Sequence, residues 1–148
     1  ASLILQQSST MGFAPQFFGC DGMDGILQVH NFDTKLADGL MLLTPFAADA
    51  TDDLTVKFVE SYKAAYNEVP VQFAADAYDA IYAIKAAIED ANVTPDADAS
   101  TICDALKAFM LNINLDGLTV EGMTWTEAGE PHKATKAVKV VDGDYSAM

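Results

Sequence analysis

Apolar residues recur at helical spacing along much of this chain, and short apolar runs interrupt that pattern. The spacing predicts helices over residues 1–11, after the acid-rich residues 49–53, over 72–91 and after the polar residues 94–100. Apolar runs bounded by turn residues predict strands over 16–19, 36–43, 122–126 and 137–141. Because strands and helices alternate in the first half of the chain, the pattern favours an α/β fold.

The segment 72–91 has the most regular pattern of the chain. Ala77, Ile81, Ile84 and Ile88 fall on one face of the predicted helix. An apolar stripe of this kind normally faces a protein core, so we expect these four side chains to be buried.

The composition is that of a folded, acidic protein. Of its 148 residues, 51% are hydrophobic, and 22 acids against 8 bases give a formal net charge of −14. This charge argues against a nucleic-acid partner, because phosphate binding needs a basic surface. No apolar run approaches the roughly 18 residues of a membrane-spanning helix. Cys20 and Cys103 fit no disulfide framework or metal motif, and we expect both to be free and buried.

One segment, QFFGCDGMDG at residues 16–25, places two acids among glycines and apolar side chains. The predicted strand 16–19 brings Asp21 to the carboxyl end of a strand, where ligands gather in open α/β sheets. A carboxylate beside apolar walls can bind an ammonium group through charge-assisted hydrogen bonds, but Asp21 can equally serve as a helix cap. Asp24 is expected to cap the short helix that starts near Gly25.

The same segment carries no signal for a metal, a cofactor or a reaction. DGMDG lacks the alternation and closing glutamate of a calcium loop, and it lacks the lysine of a phosphate-binding loop. His30 and His132 have no partner at ligand spacing, and no serine or cysteine occupies a nucleophile elbow. The sequence therefore predicts no cofactor and a binding protein rather than an enzyme.

Three longer segments carry a resemblance to a known family: residues 3–22, residues 58–91 with the helix sequence AADAYDAIYAI, and residues 118–145 ending in VDGDY. In order and spacing they resemble the C-terminal portion of type I periplasmic binding proteins of the branched-chain amino-acid receptor family. The resemblance covers essentially the whole chain. It implies a two-lobed α/β fold with Rossmann-like lobes, of which this chain is a part truncated at the N-terminus.

The resemblance also implies which residues contact a ligand. Asp21 stands where the family's acid pairs with the ligand's α-ammonium group, and Phe73 stands where an aromatic residue walls the side-chain end of the pocket. Cys20 would contribute its backbone, Met23 would shape the pocket together with Phe73, and Gly22 would complete the site. The groups that bind the ligand carboxylate would come from the part of the family's length that precedes this chain.

Chains of this family cross between their lobes three times, and this chain would include the last two crossings. Residues 1–46 would belong to the C-terminal lobe and residues 47–115 to the N-terminal lobe, and residues 116–148 would return to the C-terminal lobe. The hinge residues would be Thr44, Pro45, Phe46, Asn114, Leu115 and Asp116.

The function implied by the resemblance is that of the solute-binding component of an ABC importer. Its parent would lie in the periplasm or otherwise outside the cytoplasm, bind an amino acid, branched-chain or similar, and dock on a membrane permease. A receptor for amides, urea or aromatic acids and an intracellular ligand-sensing regulator share the fold and remain alternatives. Because a partial lobe leaves apolar faces uncovered, we expect the chain alone to associate as a dimer or higher oligomer.

Overall fold

The computed structural model describes residues 1–148, which divide into two compact units: residues 1–72 with 135–148, and residues 73–134. The helices are α1 (Ser2–Thr10), α2 (Asp53–Tyr66), α3 (Gln72–Asp90) and α4 (Ala99–Met110). The strands are β1 (Phe18–Gly19), β2 (Met41–Thr44), β3 (Thr124–Trp125), β4 (Pro131–His132), β5 (Lys136–Val141) and β6 (Asp144–Ala147). No helix combines the length and the apolar character needed to cross a membrane.

A four-stranded sheet in the order β1-β2-β5-β6 forms the centre of the first unit. β1 runs parallel to β2, whereas β2 and β5, and β5 and β6, form antiparallel pairs. A two-residue turn joins β5 to β6, with Asp142 and Gly143 both at positive φ, which suits the twist of a hairpin. The core of this unit packs Leu40, Leu42 and Val140 with residues of α1 and of the short 3₁₀ turns.

The predicted strand over 36–43 is wrong in its first half. Residues Thr34–Ala37 form a 3₁₀ turn, in which the Asp33 carboxylate accepts a hydrogen bond from the Lys35 N–H at 3.1 Å. Gly39 then adopts a φ of 82°, and the strand begins only at Met41. The local hydrogen bond of an aspartate thus overrides the apolar run.

The helix boundaries predicted from the sequence agree closely with the structure, because the signals for them are local. The side chain of Asp52 accepts a hydrogen bond from the Thr55 N–H at 2.9 Å and caps α2. Burial alone would raise the pKa of Asp52, but the hydrogen bonds from Thr55 outweigh it and lower this pKa below its usual value. Asp98 caps α4 in the same way.

The second unit is organised around α3, but the buried face of this helix is not the predicted one. Ile81 is 64% exposed, and Ile84 and Ile88 are exposed as well. The buried stripe consists instead of small residues and one acid, namely Ala75, Asp79, Ala83 and Ala87. Hydrophobicity alone favoured the isoleucines, whereas the fold selects the face that allows backbone to approach the helix closely.

That close approach is visible where the segment 117–119 meets the helix. The Asp79 carboxylate accepts hydrogen bonds from Leu118 N at 2.7 Å, from Thr119 N at 2.9 Å and from Thr119 Oγ1 at 2.6 Å. A Cβ on Gly117 would lie 2.6 Å from the carboxyl atoms of Asp79, so only glycine fits there. Asp79 is therefore a structural acid that ties a loop to α3.

The boundaries of the compact units differ from the predicted lobe boundaries. The chain passes from one unit to the other at residues 72–73 and 134–135, not at 46–47 and 115–116. Asn114, Leu115 and Asp116 lie inside the second unit, where Leu115 pairs with Met123 in an isolated β-bridge. Compactness within this chain does not assign a segment to a lobe of a longer protein, so the lobe and hinge assignments stay predictions.

The two cysteines are free, as expected, but both are exposed rather than buried. Cys20 lies directly before a 3₁₀ turn, and Cys103 is on the solvent side of α4. Cys103 lies within an amphipathic helix and Cys20 lies in a loop, and neither position has a sequence signal that distinguishes it from a core position.

Candidate ligand-binding site

The acid loop (residues 20–25) is held on the core of the first unit by its one apolar side chain. It consists mainly of a 3₁₀ turn, Asp21–Met23, and it leaves β1 at the carboxyl end of the strand, as the sequence predicted. Met23 packs against the core, with its sulfur above Gly19, where a Cβ would also lie 2.7 Å from Leu42 Cδ2. Gly25 closes the loop with a φ of 85°, a conformation that favours glycine.

Both carboxylate oxygens of Asp24 are used within the protein. Oδ1 accepts a hydrogen bond from Gly25 N at 2.8 Å, and Oδ2 accepts one from Gln72 N at 2.7 Å. Gln72 is the first residue of α3, so Asp24 caps this long helix rather than the short one near Gly25. Asp24 is therefore a helix cap, as predicted, but the helix that it caps begins 48 residues further along the chain.

Asp21 differs from Asp24 in having a carboxylate that faces solvent. Oδ1 accepts a hydrogen bond from Gly22 N at 2.8 Å, while Oδ2 accepts none from the protein. Asp21 is exposed and caps no helix other than its own turn. The sequence left two uses open for Asp21, as a helix cap or as a ligand contact. Because Asp21 caps no other helix, its exposed carboxylate is available for a ligand.

Tyr145 completes the back of the acid loop. Its hydroxyl oxygen accepts a hydrogen bond from Gly25 N at 3.1 Å, beside the Asp24 carboxylate. Burial, reinforced by the negative charge of Asp24, raises the pKa of Tyr145 to about 12. The tyrosine therefore stays neutral near the loop at every physiological pH.

Gln72 also binds the acid loop, although the sequence did not predict a contact there. It is 1% exposed, and its Nε2 donates a hydrogen bond to the carbonyl oxygen of Asp21 at 2.8 Å. Its Oε1 lies 3.1 Å from the hydroxyl of Thr44, which is also 3.0 Å from Phe46 O and donates to one of the two at a time. A glutamine before an aromatic residue at a helix start has no recognisable pattern, so nothing in the sequence pointed to it.

The structure places the remaining predicted site residues as follows. Cys20 and Gly22 are exposed in the acid loop, next to Asp21. Thr44 and Phe46 are buried where β2 ends, with Pro45 half-buried between them. Phe73 follows Gln72 directly, is 51% exposed and begins the second unit. No group of three or more histidine, cysteine, aspartate or glutamate side chains is arranged to hold a metal ion.

The comparisons with known proteins place this geometry in a family. The sequence profile described as periplasmic binding protein matches residues 1–144. The chain belongs to the periplasmic binding protein family. Among curated protein sequences none is significantly similar to this chain.

Solved structures of binding proteins share the fold of this chain. A leucine-binding protein from Thermotoga maritima is 25% identical, with a TM-score of 0.77, and the match covers 99% of this chain and 40% of that one. A branched-chain amino acid transporter substrate-binding protein from Streptococcus pneumoniae, in complex with isoleucine, is 23% identical, with a TM-score of 0.80 and coverage of 99% and 40%. An ABC transporter solute-binding protein from R. palustris, in complex with benzoate, is 16% identical, with a TM-score of 0.80 and coverage of 99% and 39%.

These matches confirm the expected type I periplasmic-binding-protein fold and the expectation of binding proteins rather than enzymes. The chain spans about 40% of the length of the similar chains. Proteins of this family work outside the cytoplasm, in agreement with the predicted location.

Proposed function

We propose that the longer protein represented by this chain is the substrate-binding component of an ABC importer, and that its ligand is an amino acid, branched-chain or similar. The chain forms its C-terminal part. Binding proteins of this kind act by closing on the ligand, so the ligand shifts the population towards the closed state by its preference for that state. The membrane permease of the importer is the expected protein partner.

The main support for this ligand class is the difference in hydrogen bonding between the two acids of the acid loop. Asp24 is fully engaged inside the protein, whereas Asp21 keeps one carboxylate oxygen without a hydrogen bond. A free carboxylate on a loop that is otherwise anchored suits an ammonium group, because a charge-assisted hydrogen bond is about twice as strong as a neutral one. The leucine and isoleucine in the names of two similar structures agree with this class.

Phe73 is assigned to the side-chain end of the ligand by its place in the family pattern, and its exposed ring supports that assignment. Cys20 and Gly22 contribute backbone beside Asp21. Met23 packs on the core, so its part in the site is to anchor the loop.

An aromatic acid is the second candidate ligand, because a structure with the same fold contains benzoate. Asp21 argues against it. Two carboxylates brought within about 4 Å repel each other by several kcal/mol at the effective dielectric of a protein surface. A benzoate receptor would need a neutral or basic residue at this position.

The test is a binding measurement on the full-length parent with leucine, isoleucine and benzoate, by calorimetry. We expect an aliphatic amino acid to bind and Asp21→Asn to weaken it by about 10- to 100-fold, since a hydrogen bond to a charged group contributes roughly 1.5–3 kcal/mol. Asp53→Asn is the matched control, because Asp53 is exposed and its side chain makes no hydrogen bond. Binding of benzoate alone, or leucine affinity that survives Asp21→Asn, would contradict the proposal.

The chain alone is expected to self-associate and to bind ligand weakly. Large apolar side chains are exposed in both units, including Leu3 and Phe18 in the first and Phe73 and Ile81 in the second. Exposed apolar surface of this extent drives association. Sedimentation velocity of the 148-residue chain should show a dimer or larger species, and a stable monomer at micromolar concentration would refute this expectation.

A further inference from the structure

We infer that Gln72 is a positioning residue for the ligand-binding carboxylate of Asp21, which it holds through the backbone of the acid loop. The inference rests on the proposed function for its effect on ligand binding. Its effect on the loop itself can be measured without any ligand.

Gln72 is bonded to the acid loop at two points. Its backbone N–H donates to the Asp24 carboxylate at 2.7 Å, and its side-chain Nε2 donates to the carbonyl of Asp21 at 2.8 Å. The same carbonyl also accepts from Asp24 N at 2.9 Å, so both of its lone pairs are used. The main chain of Asp21 is thereby fixed from inside, while its carboxylate stays free outside.

The side chain of Gln72 is itself fixed, which is what allows it to position another group. It is almost completely buried, and its Oε1 faces the hydroxyl of Thr44 at the end of β2. The Asp21 carbonyl can only accept a hydrogen bond, so the NH₂ end of the amide faces the acid loop and Oε1 faces the Thr44 hydroxyl. A strand end, a helix start and the acid loop therefore meet at one amide group.

This arrangement explains why the acid loop can be exposed and still ordered. The Asp21 side chain accepts a hydrogen bond only from Gly22 N of its own turn, and Gln72 reaches Asp21 through the backbone carbonyl. An exposed carboxylate on an unsupported glycine-rich loop would lose much of its ligand affinity to the cost of ordering it. Gln72 supplies that order before the ligand arrives.

The first experiment is amide hydrogen exchange on the 148-residue chain carrying Gln72→Met, which keeps the length of the side chain and removes the donor. We expect the amides of Met23 and Asp24 to exchange at least about threefold faster than in the control. The matched control is Gln16→Met, since the exposed Gln16 donates from Nε2 to the Gly39 carbonyl at 2.7 Å, away from the acid loop. Unchanged exchange at both amides would overturn the inference.

The second experiment measures binding by the full-length parent of leucine and of 4-methylpentanoate, which lacks the α-ammonium group. Gln72→Met should weaken leucine by about tenfold and leave 4-methylpentanoate nearly unchanged, and it should add little in the Asp21→Asn background. A merely structural role would weaken both ligands equally, and that result would overturn the inference. Gln72→Asn, which withdraws the amide while keeping it polar, serves as a second variant if Gln72→Met does not fold.

The two proposals fail in different ways. If Asp21→Asn leaves leucine binding unchanged, the proposed ligand contact is wrong, and the hydrogen exchange result still decides whether Gln72 positions the loop. If Asp21→Asn weakens leucine binding, but Gln72→Met exchanges like the Gln16→Met control and leaves leucine binding unchanged, the proposed function stands and the inference about Gln72 falls.

Discussion

Replacing Asp79 by asparagine tests how the second unit is held together. The carboxylate is 2% exposed and accepts three hydrogen bonds, from Leu118 N and from the backbone and hydroxyl of Thr119. Asparagine has nearly the same shape but only one acceptor oxygen. With that oxygen turned towards Thr119, its NH₂ group faces the N–H of Leu118, which is buried and loses its acceptor.

The size of the effect follows from these contacts. An unsatisfied buried donor costs about 1–3 kcal/mol, and the two remaining hydrogen bonds lose the strength that the charge gave them. Asparagine also avoids the cost of burying a charge, which offsets part of that loss. We expect Asp79→Asn to lower the free energy of unfolding by about 2 kcal/mol.

Urea unfolding followed by tryptophan fluorescence measures this directly. Trp125 is the only tryptophan of the chain and lies in the same unit as Asp79. The matched control is Asp104→Asn, because Asp104 is exposed on α4 and makes no side-chain hydrogen bond. If Asp79→Asn unfolds within about 0.5 kcal/mol of that control at an unchanged slope, the three hydrogen bonds do not hold the loop and the reasoning is refuted.

The structure predicts the direction of the change in stability for three further substitutions. Gly117→Ala should destabilise the second unit by about 1–3 kcal/mol, because the new methyl group would overlap the Asp79 carboxyl group. Asp52→Ala should lower the free energy of unfolding by about 1 kcal/mol at pH 7, because the cap of α2 is lost. The pKa of Asp52 is lowered in the folded protein, so the difference in stability between the two proteins should shrink as the pH falls below about 4. The pKa of Tyr145 is raised to about 12, so the stability that its neutral form provides is complete below pH 10 and lost as the pH rises towards 12. Tyr145→Phe should therefore show a shallower loss of stability over that interval.

Each of these changes has a control in the chain. A Cβ at Gly22 would meet nothing within 4 Å, so Gly22→Ala should leave stability nearly unchanged where Gly117→Ala does not. Asp53→Ala removes an exposed acid that caps nothing, and equal effects of Asp52→Ala and Asp53→Ala in urea unfolding would contradict the capping argument. Tyr66→Phe removes a hydroxyl from a tyrosine that is 65% exposed, and an alkaline profile equal to that of Tyr145→Phe would show that burial of Tyr145 is not the cause.

The sequence predicted the parts of the fold that depend on neighbours along the chain. The N-caps Asp52 and Asp98 act within three residues of themselves, so the starts of α2 and α4 could be read directly. The hairpin turn at residues 142–143 is equally local. The orientation of α3 could not be predicted in this way, because it depends on Gly117 and Leu118, which approach the helix about 40 residues later.

The acid loop shows the same limit at the candidate site, where two aspartates three residues apart lie in different surroundings. Both precede a glycine in a glycine-rich segment, and both could cap a turn or bind a ligand. Gln72 causes the difference between the two aspartates. Its backbone N–H donates to the Asp24 carboxylate, whereas its side chain donates only to the backbone carbonyl of Asp21. The start of a helix 48 residues later thus engages the carboxylate of Asp24 and leaves that of Asp21 exposed, and no property of residues 20–25 alone distinguishes the two.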